Sequence, residues 1–439
     1  MRHPGQAVAA AFLAGIAVGT ALLLLPVARA GQGGAGMLEA LFTATSAVCV
    51  TGLTVVDTGT YWSGFGQAVI LSLIQVGGFG IMTLASLLGL LVARRLGLRA
   101  RLTAAAETHS VGLGDVRAVL IGVAVISGLV ETVTAAALTA RFALGYGEPL
   151  PRALYLGVFH AVSAFNNAGF GLYADNLVGF ATDWWICVPI MVAVIIGGLG
   201  FPVILELRRR LRRPGSWSVH TKITVLMTVL LLVSSSMFVT ALEWSNPETL
   251  APLPVEGRVL AGVFQAVILR TAGFNSIDIG GMRDSTWLGM DVFMFIGGGS
   301  AGTAGGIKVT TFALLFFVLY AEVRGEPSST AFRRRIDPRA QRQALTIALL
   351  SVAAVVVATI LLAHITEVST DRVLFEVVSA FATVGLTTGI TADLPTGGQL
   401  ILVALMYLGR IGPITLVAAV ALRNSLRRYE FPESRPIVG

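Results

Sequence analysis

Eight long apolar stretches constrain the fold of this chain more than any other feature. Each reaches the roughly 20 residues that an α-helix needs to cross about 30 Å of hydrocarbon. Hydrophobic residues make up 55% of the 439-residue chain and charged residues only 13%, which excludes a soluble enzyme, a disordered chain and a secreted disulfide scaffold. We therefore predict an all-α polytopic membrane protein with eight transmembrane helices. The stretches lie at residues 8–28, 65–93, 118–142, 184–205, 221–242, 287–320, 344–365 and 397–422.

Two features of the first stretch and of the cysteines bear on this prediction. Ala28-Arg29-Ala30 is similar to the small-residue cleavage site of a signal peptide, so the first stretch has that alternative. The internal repeat described below needs the stretch as a helix and favours the membrane span. Cys49 and Cys187 both lie in apolar sequence and require no disulfide.

Arginine clusters follow the second, fourth, sixth and eighth stretches, so they share one side of the membrane. The positive-inside rule makes that side the cytoplasm, with both termini there. The net charge of +7 therefore reflects orientation and does not predict nucleic-acid binding. The clusters are Arg94, Arg95, Arg99 and Arg101; Arg208, Arg209, Arg210, Arg212, Arg213 and Lys222; Arg324, Arg333, Arg334, Arg335, Arg339 and Arg342; and Arg423, Arg427 and Arg428.

A short motif recurs in every outer connection. A Phe opens an apolar segment that is too short to span the membrane and too apolar to lie in water, which predicts a re-entrant pore helix. A Gly followed by an apolar residue closes each segment. The pairs, spaced by 10, 10, 9 and 10 residues, are Phe42 and Gly52, Phe159 and Gly169, Phe264 and Gly273, and Phe375 and Gly385. A period above one hundred residues indicates four M1–P–M2 units, each a span, a pore helix and a second span, around a pseudo-fourfold pore.

Glycines at a matched depth of each closing span support the same repeat. They begin 25, 28, 24 and 24 residues after the loop glycine. Glycines that merely ease helix packing are the alternative. The matched pairs are Gly77–Gly78, Gly197–Gly198, Gly297–Gly298 and Gly409–Arg410. The predicted units are residues 1–100, 101–215, 216–335 and 336–425, followed by a cytoplasmic tail at 426–439.

The chemistry that this spacing serves is coordination of an alkali cation. Four short helices that converge on one axis direct their partly negative C-terminal ends at it, and rings of backbone carbonyls can replace a cation's hydration shell. No acidic ring and no His/Cys cluster accompanies these segments, which disfavours a divalent-cation site. The predicted selectivity filter comprises Val50, Thr51, Gly52, Asn167, Ala168, Gly169, Thr271, Ala272, Gly273, Thr383, Val384 and Gly385.

Segments 45–54, 159–170 and 270–275 resemble those of the Ktr/Trk/HKT superfamily of potassium transporters, and the similarity covers essentially the whole chain. In length the chain is most similar to the Ktr-type membrane subunits. The resemblance implies gated potassium uptake through a transporter-like pore, and glycine in all four filter segments implies potassium over sodium. It further implies a homodimer and a cytosolic nucleotide-binding regulatory subunit of the KtrA/TrkA type. Sodium is a candidate activator, and no organic cofactor is expected.

The alternative function is a TrkH-like or sodium-permeable HKT-like transporter with ion-coupled alternating access. Such transporters often use inverted repeats, whereas these repeats run parallel, which favours a channel-like path. Two enzyme interpretations are weak. Residues 302–310 lack the Gly-Lys-Ser/Thr of a phosphate-binding loop, and a Ser300–His364 pairing would rest on sequence alone.

A glycine-rich run from 297 to 306 interrupts the sixth stretch. It cannot form a stable helix, since each Gly costs about 1 kcal/mol relative to Ala. Non-helical backbone at this depth is tolerated only when it lines a cavity or is buried in protein. The resemblance makes it the intramembrane gating loop, 297–308. The predicted gate residues are Gly297, Gly298, Gly299, Ser300, Gly302, Gly305, Gly306, Lys308 and Arg410.

Charged and polar residues within the apolar sequence carry open alternatives. Arg410 either faces the pore or pairs with a carboxylate that joins two repeats, because a charge at membrane depth is costly. Lys308 either belongs to the gate or anchors the end of its span by snorkelling. Arg270 either braces the filter through a carboxylate, with Glu131 one candidate, or lies at the outer mouth.

Two further groups complete the predictions. The residue after the Phe of the second, third and fourth pore helices is polar, and we expect helix caps or hydrogen bonds between repeats there in preference to ion ligands: His160, Gln265 and Glu376. The basic segments 206–222 and 324–342 are either docking faces for a regulatory subunit or contacts with anionic membrane lipid. The tail beyond Arg427 is expected to reach across a dimer interface.

Overall fold

The computed structural model describes residues 4–95 and 116–422, and this part of the chain is mostly helical. The first half contains α1 (Pro4–Leu23), α2 (Met37–Val48), α3 (Thr58–Tyr61), α4 (Gly64–Arg95), α5 (Val116–Gly145), α6 (Leu150–Phe165), α7 (Trp184–Leu199) and α8 (Phe201–Arg210). The second half contains α9 (Val219–Glu243), α10 (Val255–Ile268), α11 (Asp284–Phe295), α12 (Val309–Val323), β1 (Thr330–Ala331), β2 (Arg334–Arg335), α13 (Pro338–Ile365), α14 (Thr370–Ala382) and α15 (Thr396–Leu422).

Each predicted apolar stretch coincides with one helix or with a pair of helices. Within the described residues, α1, α4, α5, α9 and α13 are long and apolar enough to span a membrane, and α7 with α8 passes the same test as a bent pair. Large apolar side chains such as Val133, Met237 and Leu349 are more than half exposed on the outer faces of these helices, where lipid would cover them. The chain is therefore a multi-pass membrane protein.

The four predicted pore helices form the centre of the molecule. They are α2, α6, α10 and α14, and the phenylalanine that marks each of them is fully buried: Phe42, Phe159, Phe264 and Phe375. Each short helix packs against the long helix that precedes it, and α2, α6 and α14 also pack against the helix that closes their segment of chain. Helix α1 packs against α2, α4 and α15, which favours the membrane helix over the signal-peptide alternative.

Two of the predicted spans are broken. Helices α11 and α12 are separated by non-helical residues 296–308, as the glycine run predicts. The stretch at 184–205 was expected to be continuous and is not: α7 and α8 meet at an angle of 103°. Gly200 makes this bend with φ +93°, and Pro202 in the first turn of α8 starts a new helix there. Hydropathy alone missed this break because both helices are apolar at the junction.

A small hairpin follows α12. Strands β1 and β2 pair through Thr330 with Arg335 and Ala331 with Arg334, and the two turn residues, Phe332 and Arg333, are left-handed with φ +49° and +64°. Such a turn matches the twist of antiparallel strands. Five of the predicted basic residues and the tail at 426–439 lie outside the described residues: Arg99, Arg101, Arg423, Arg427 and Arg428.

Candidate functional site

The segment after each pore helix adopts one backbone pattern in all four copies. Two residues before the loop glycine the backbone is left-handed, although none of these residues is glycine: φ is +55° at Val50, +59° at Asn167, +68° at Thr271 and +50° at Thr383. Three of the four are β-branched, for which this region is costly. The glycines follow with φ of +97°, +71°, +71° and +94° at Gly52, Gly169, Gly273 and Gly385. The sequence did not predict the left-handed non-glycine residues.

The four loop glycines form a closed ring in chain order. A Cβ atom built on Gly169 would lie 2.8 Å from Ala272 O, and one built on Gly273 would lie 2.8 Å from Val384 O. A Cβ on Gly52 would meet Ala168 O, and one on Gly385 would meet Thr51 O, both at still closer approach. Each glycine therefore lies against the carbonyl that precedes the next glycine around the ring. These contacts leave no room for a side chain at any of the four positions.

Hydroxyl groups of the pore helices hold these segments in place. Ser46 Oγ accepts a hydrogen bond from Gly52 N and Ser379 Oγ from Gly385 N, both at 3.1 Å. Ser163 Oγ donates to Phe170 O at 2.8 Å. All three serines stand six residues before their glycine, and the third copy has Val267 there. This common offset is visible in the sequence, but the spacing of phenylalanine and glycine did not predict a role for the serines.

In two of the copies, the polar residue after the pore-helix Phe forms hydrogen bonds to the outer loop that follows the filter segment of its own repeat. Glu376 accepts hydrogen bonds from Thr387 Oγ1, from Thr388 N at 3.0 Å and from Thr391 Oγ1 at 2.9 Å. His160 Nδ1 lies 2.8 Å from Leu156 O, and its Nε2 accepts from Leu172 N at 3.5 Å. These bonds stay within one repeat and run to the outer loop or, for His160 Nδ1, to the preceding turn of its own helix, so they are neither helix caps nor hydrogen bonds between repeats.

Gln265 differs from its two counterparts. Within the described residues neither its amide oxygen nor its amide nitrogen has a hydrogen-bond partner, although the side chain is fully buried.

The matched glycines of the closing helices allow close approach to the ends of the pore helices. A Cβ on Gly77, Gly197 or Gly409 would collide with Val48 O, Phe165 O and Phe381 O respectively, which is the same carbonyl in three copies. In the third copy Gly297 packs against Gly305 O instead. In the first, second and fourth copies the glycine register thus reflects contact between the closing helix and its own pore helix.

The predicted gating loop is a hydrogen-bonded structure and not a loose strand. Its base is closed by Gly297 N to Ile307 O at 2.8 Å and by Val309 N to Gly298 O at 3.0 Å. It also docks on the break between α7 and α8: Gly299 N donates to Gly198 O at 2.7 Å and Phe201 N to Ala301 O at 3.2 Å. Backbone hydrogen bonds to α7 and α8 therefore order the loop in this conformation.

The top of this loop touches the filter segments. Thr303 Oγ1 lies 3.0 Å from the side-chain amide of Asn167, and Gly305 N donates to Thr271 Oγ1 at 3.3 Å. A Cβ on Gly305 would collide with Thr383 Oγ1. The loop therefore contacts the left-handed residue of three of the four filter segments.

Two basic side chains bond backbone carbonyls of the loop: Arg410 from α15, and Lys308 from within the loop itself. Arg410 Nη1 donates to Thr303 O, and Lys308 Nζ donates to Ala304 O and, at 3.4 Å, to Gly305 O. Arg410 is only 3% exposed. Neither residue follows its alternative prediction: Arg410 bonds a backbone carbonyl and not a carboxylate, and Lys308 points into the loop.

Arg270 lies inside the protein, at neither of its predicted places. Its guanidinium donates to Thr228 O at 3.3 Å and to Gly297 O at 3.5 Å, so it links α9 to the start of the gating loop. Glu131 does not reach it and lies instead 3.4 Å from Gln75 Nε2 and 3.4 Å from Asn166 Nδ2. Ser300 Oγ bonds Thr310 Oγ1 at 3.0 Å, whereas His364 is exposed in the last turn of α13.

Comparison with known proteins gives a consistent result. The family model described as TrkH, cation transport protein, matches residues 2–426. The Ktr system potassium uptake protein B of Bacillus subtilis is 38% identical, with 99% of this chain and 97% of that protein covered. The potassium/sodium uptake protein NtpJ of Enterococcus hirae is 34% identical over 99% of this chain and 97% of its own length. The crystal structure of the potassium transporter TrkH from Vibrio parahaemolyticus aligns with a TM-score of 0.69 and 18% identity, covering 98% of this chain and 86% of that one.

Proposed function

The chain belongs to the TrkH family of cation transport proteins, and from this premise we propose that its ring of loop glycines is the selectivity filter of a potassium uptake transporter. The observation that carries the proposal is the repeated contact of each glycine with the carbonyl before the next glycine, contributed by Thr51, Ala168, Ala272 and Val384. Backbone carbonyls in a ring can replace the water around a monovalent cation. The protein therefore moves potassium across the membrane and is a transport protein, not an enzyme.

We propose that the chain is built from four M1–P–M2 units, at 1–100, 101–215, 216–335 and 336–425. The support is the same φ pattern after four short helices, and the same helix-to-carbonyl contact at Gly77, Gly197 and Gly409. In this arrangement eight spans surround four pore helices, with the bent pair α7–α8 and the broken pair α11–α12 each counted as one span. The C-terminal ends of the pore helices then supply partial negative charge below the filter.

The twelve predicted filter residues carry no ionised side chain, which suits a monovalent ion better than a divalent one. The ring is narrow: a Cβ on Gly273 would also come 3.2 Å from Thr51 O, two positions away around it. Only a partly or fully dehydrated ion passes such a constriction, so we propose that carbonyls of the filter take the place of the lost water. Potassium is the transported ion in this scheme.

We propose that residues 297–308 close the pathway below the filter, and that hydrogen bonds from Lys308 and Arg410 keep the loop in this closed position. The loop lies directly against Asn167 and Thr271, and two positive charges beside the path oppose the entry of a cation. Opening requires release of the carbonyls of Thr303, Ala304 and Gly305 from these cations. Because the loop also bonds α7 and α8, a movement of α8 would reach it.

We further propose the inner membrane as the location, with the filter outside and both termini in the cytoplasm. The basic residues 208–213 and 324–342 support this orientation. The relatives named as Ktr system and Trk proteins support a role as one subunit of a larger system. We propose a homodimer that binds a cytosolic, nucleotide-binding regulatory subunit of the KtrA/TrkA type.

The deciding experiment is complementation of a bacterium that lacks potassium uptake, grown at low external potassium. Expression of this chain with a regulatory subunit should restore growth, and ⁸⁶Rb⁺ uptake into proteoliposomes should follow. Growth that depends on sodium in place of potassium would overturn the selectivity proposal.

A second candidate is sodium-coupled transport, favoured by the name of the Enterococcus hirae relative. Flux that stops without a sodium gradient would support it, whereas flux driven by membrane potential alone would support the pore.

A further inference from the structure

A cavity of about 250 Å³ lies on the basic side of the molecule, between the α8–α9 connection and the β1–β2 hairpin. Three cationic residues from three separate segments line it, and none of the described residues that line it is acidic. The lining residues are Arg210, Gly215, Ser216, Trp217, Ser218, Val219, Lys222, Phe332 and Arg334. A concave site that gathers cations without a carboxylate inside it is suited to an anion.

We name this cavity the phosphate pocket. Hydrogen bonds fix its walls but use only some of the N–H donors of its cationic side chains. Glu206 outside the lining accepts from Ser218 N at 2.8 Å and Ser218 Oγ at 2.7 Å, so it ties α8 to the start of α9. Arg210 Nη1 donates to Ser216 O at 3.2 Å and Lys222 Nζ to Gly215 O at 3.0 Å. A guanidinium has five N–H donors and an ammonium three, so these bonds use only part of their capacity.

We propose that the phosphate pocket binds the phosphate group of a small phosphoester. Arginine forks and a lysine ammonium are the side chains that recognise phosphate oxygens, and Trp217 and Phe332 offer apolar surface to the rest of the ligand. The cavity is smaller than the ~300–1,000 Å³ typical of sites for drug-sized ligands, which fits a headgroup-sized ligand better than a nucleotide. The headgroup of an anionic phospholipid and a free phosphoester share this chemistry.

Two segments connect the phosphate pocket to the gating loop: α8, and α12 with the hairpin that follows it. Helix α8 begins next to the loop, where Phe201 N donates to Ala301 O at 3.2 Å, and its last residue, Arg210, lines the pocket. Helix α12 begins directly after Lys308 and leads to the hairpin that carries Phe332 and Arg334. A small cluster of Ile223, Ala313, Ala331 and Ile336 joins α9, α12 and the hairpin.

A bound phosphate therefore stabilises the arrangement in which the loop lies against the filter. A ligand shifts a conformational equilibrium toward the state that it binds better, so occupancy of the pocket lowers flux. This regulatory part rests on the proposed function, whereas binding itself does not.

The test uses the full-length protein and two double variants of equal charge change. Arg210→Gln/Lys222→Gln removes two cations of the pocket. Arg212→Gln/Arg213→Gln removes two exposed cations of the same connection that do not line it. Phosphatidylglycerol is titrated onto the detergent-solubilised protein and counted by native mass spectrometry. Inorganic phosphate and glycerol 3-phosphate form the soluble arm, and ⁸⁶Rb⁺ flux is measured in phosphatidylcholine vesicles with and without phosphatidylglycerol.

The pocket variant should bind phosphatidylglycerol about tenfold more weakly, the loss expected for one or two charge-assisted hydrogen bonds, while the control variant binds as the wild type does. Wild-type flux should fall when phosphatidylglycerol is added, and flux of the pocket variant should not. Binding of a soluble phosphoester that phosphatidylglycerol does not displace would also support the pocket and assign a free ligand.

Equal binding losses in both variants, or none in either, would overturn the proposal. So would loss of regulatory-subunit binding alone, with no phosphate source bound, since the cavity would then be a protein interface. Absence of rubidium flux in every lipid would refute the proposed transport function and leave the binding result standing.

Discussion

Replacing Gly273 with alanine should strongly reduce potassium flux and selectivity while leaving the protein folded. The added Cβ would lie 2.8 Å from Val384 O, 2.9 Å from Gly169 Cα and 3.2 Å from Thr51 O. The two contacts below 3.0 Å force Val384 O and Gly169 Cα away from the new methyl group, which displaces one of the four proposed filter carbonyls and the backbone of the neighbouring loop glycine. The backbone at φ +71° adds a cost of about 1–2 kcal/mol for a residue with a Cβ.

The expected size of the effect follows from these terms. If the strain falls on the path of the ion, 1.4 kcal/mol corresponds to a factor of about ten in rate, so potassium flux should drop about tenfold or more. The measurement is ⁸⁶Rb⁺ uptake into proteoliposomes, with competition by Na⁺ to report selectivity. Thermal unfolding in detergent checks that the variant is intact.

Two glycines of this chain provide matched controls. Gly389 has φ +95° but nothing within 4 Å of a Cβ position, so Gly389→Ala has the backbone strain without the ring contact. Gly128 lies within α5 with nothing within 4 Å, so Gly128→Ala should be neutral or should stabilise the helix by up to about 1 kcal/mol. Wild-type rubidium uptake and selectivity in Gly273→Ala would refute the carbonyl ring, and a loss as large in Gly389→Ala would assign the effect to strain.

Further outcomes test the gate and its supports. Arg410→Ala should raise basal ⁸⁶Rb⁺ flux several-fold without loss of assembly, because Thr303 O loses its donor, and unchanged flux would exclude a role in the pore. Lys308→Gln should also raise basal ⁸⁶Rb⁺ flux, because the carbonyls of Ala304 and Gly305 lose a charged donor. A wild-type basal flux would count against a role of Lys308 in holding the loop closed. Ser379→Ala should cost about 1 kcal/mol and reduce K⁺/Na⁺ discrimination, since Gly385 N loses its acceptor; unaltered discrimination would make this bond structural only. Gly200→Ala should lower the unfolding temperature, because its Cβ would strike Ser300 O at φ +93°, and an unchanged temperature would show that the bend adapts.

The repeat was readable from the sequence because it depends on residue types at fixed intervals. Phe42, Phe159, Phe264 and Phe375 had to be apolar to fill the centre, and the loop glycines had to lack a Cβ to fit the ring. Helix breaking by the run at 297–306 was predictable for the same reason, since glycine weakens a helix wherever it stands.

The contacts that individual residues make in the folded protein could not be predicted from residue type and spacing. The break at Gly200 was not predicted, because one glycine in an apolar stretch is compatible with a straight helix. The chain bends at this glycine because α8 meets the gating loop. The two expectations for Arg270 were a carboxylate partner or the outer mouth, yet it donates to the backbone carbonyls of Thr228 and Gly297, a group that every residue has. A sequence does not mark which backbone carbonyls are left without a donor.

The membrane-spanning class and the position of the four short helices follow from the amino-acid sequence alone, because hydropathy, length and glycine placement are local properties of the chain, and the resemblance of three segments indicates the family. The folded structure adds that the four glycines close into one ring, that Val50, Asn167, Thr271 and Thr383 are left-handed, and that Lys308 and Arg410 bond the gating loop. The ring and the Arg410 bond arise from contacts between segments about one hundred residues apart or more. Their geometry depends on which backbone atoms are brought together, and residue type alone does not specify that.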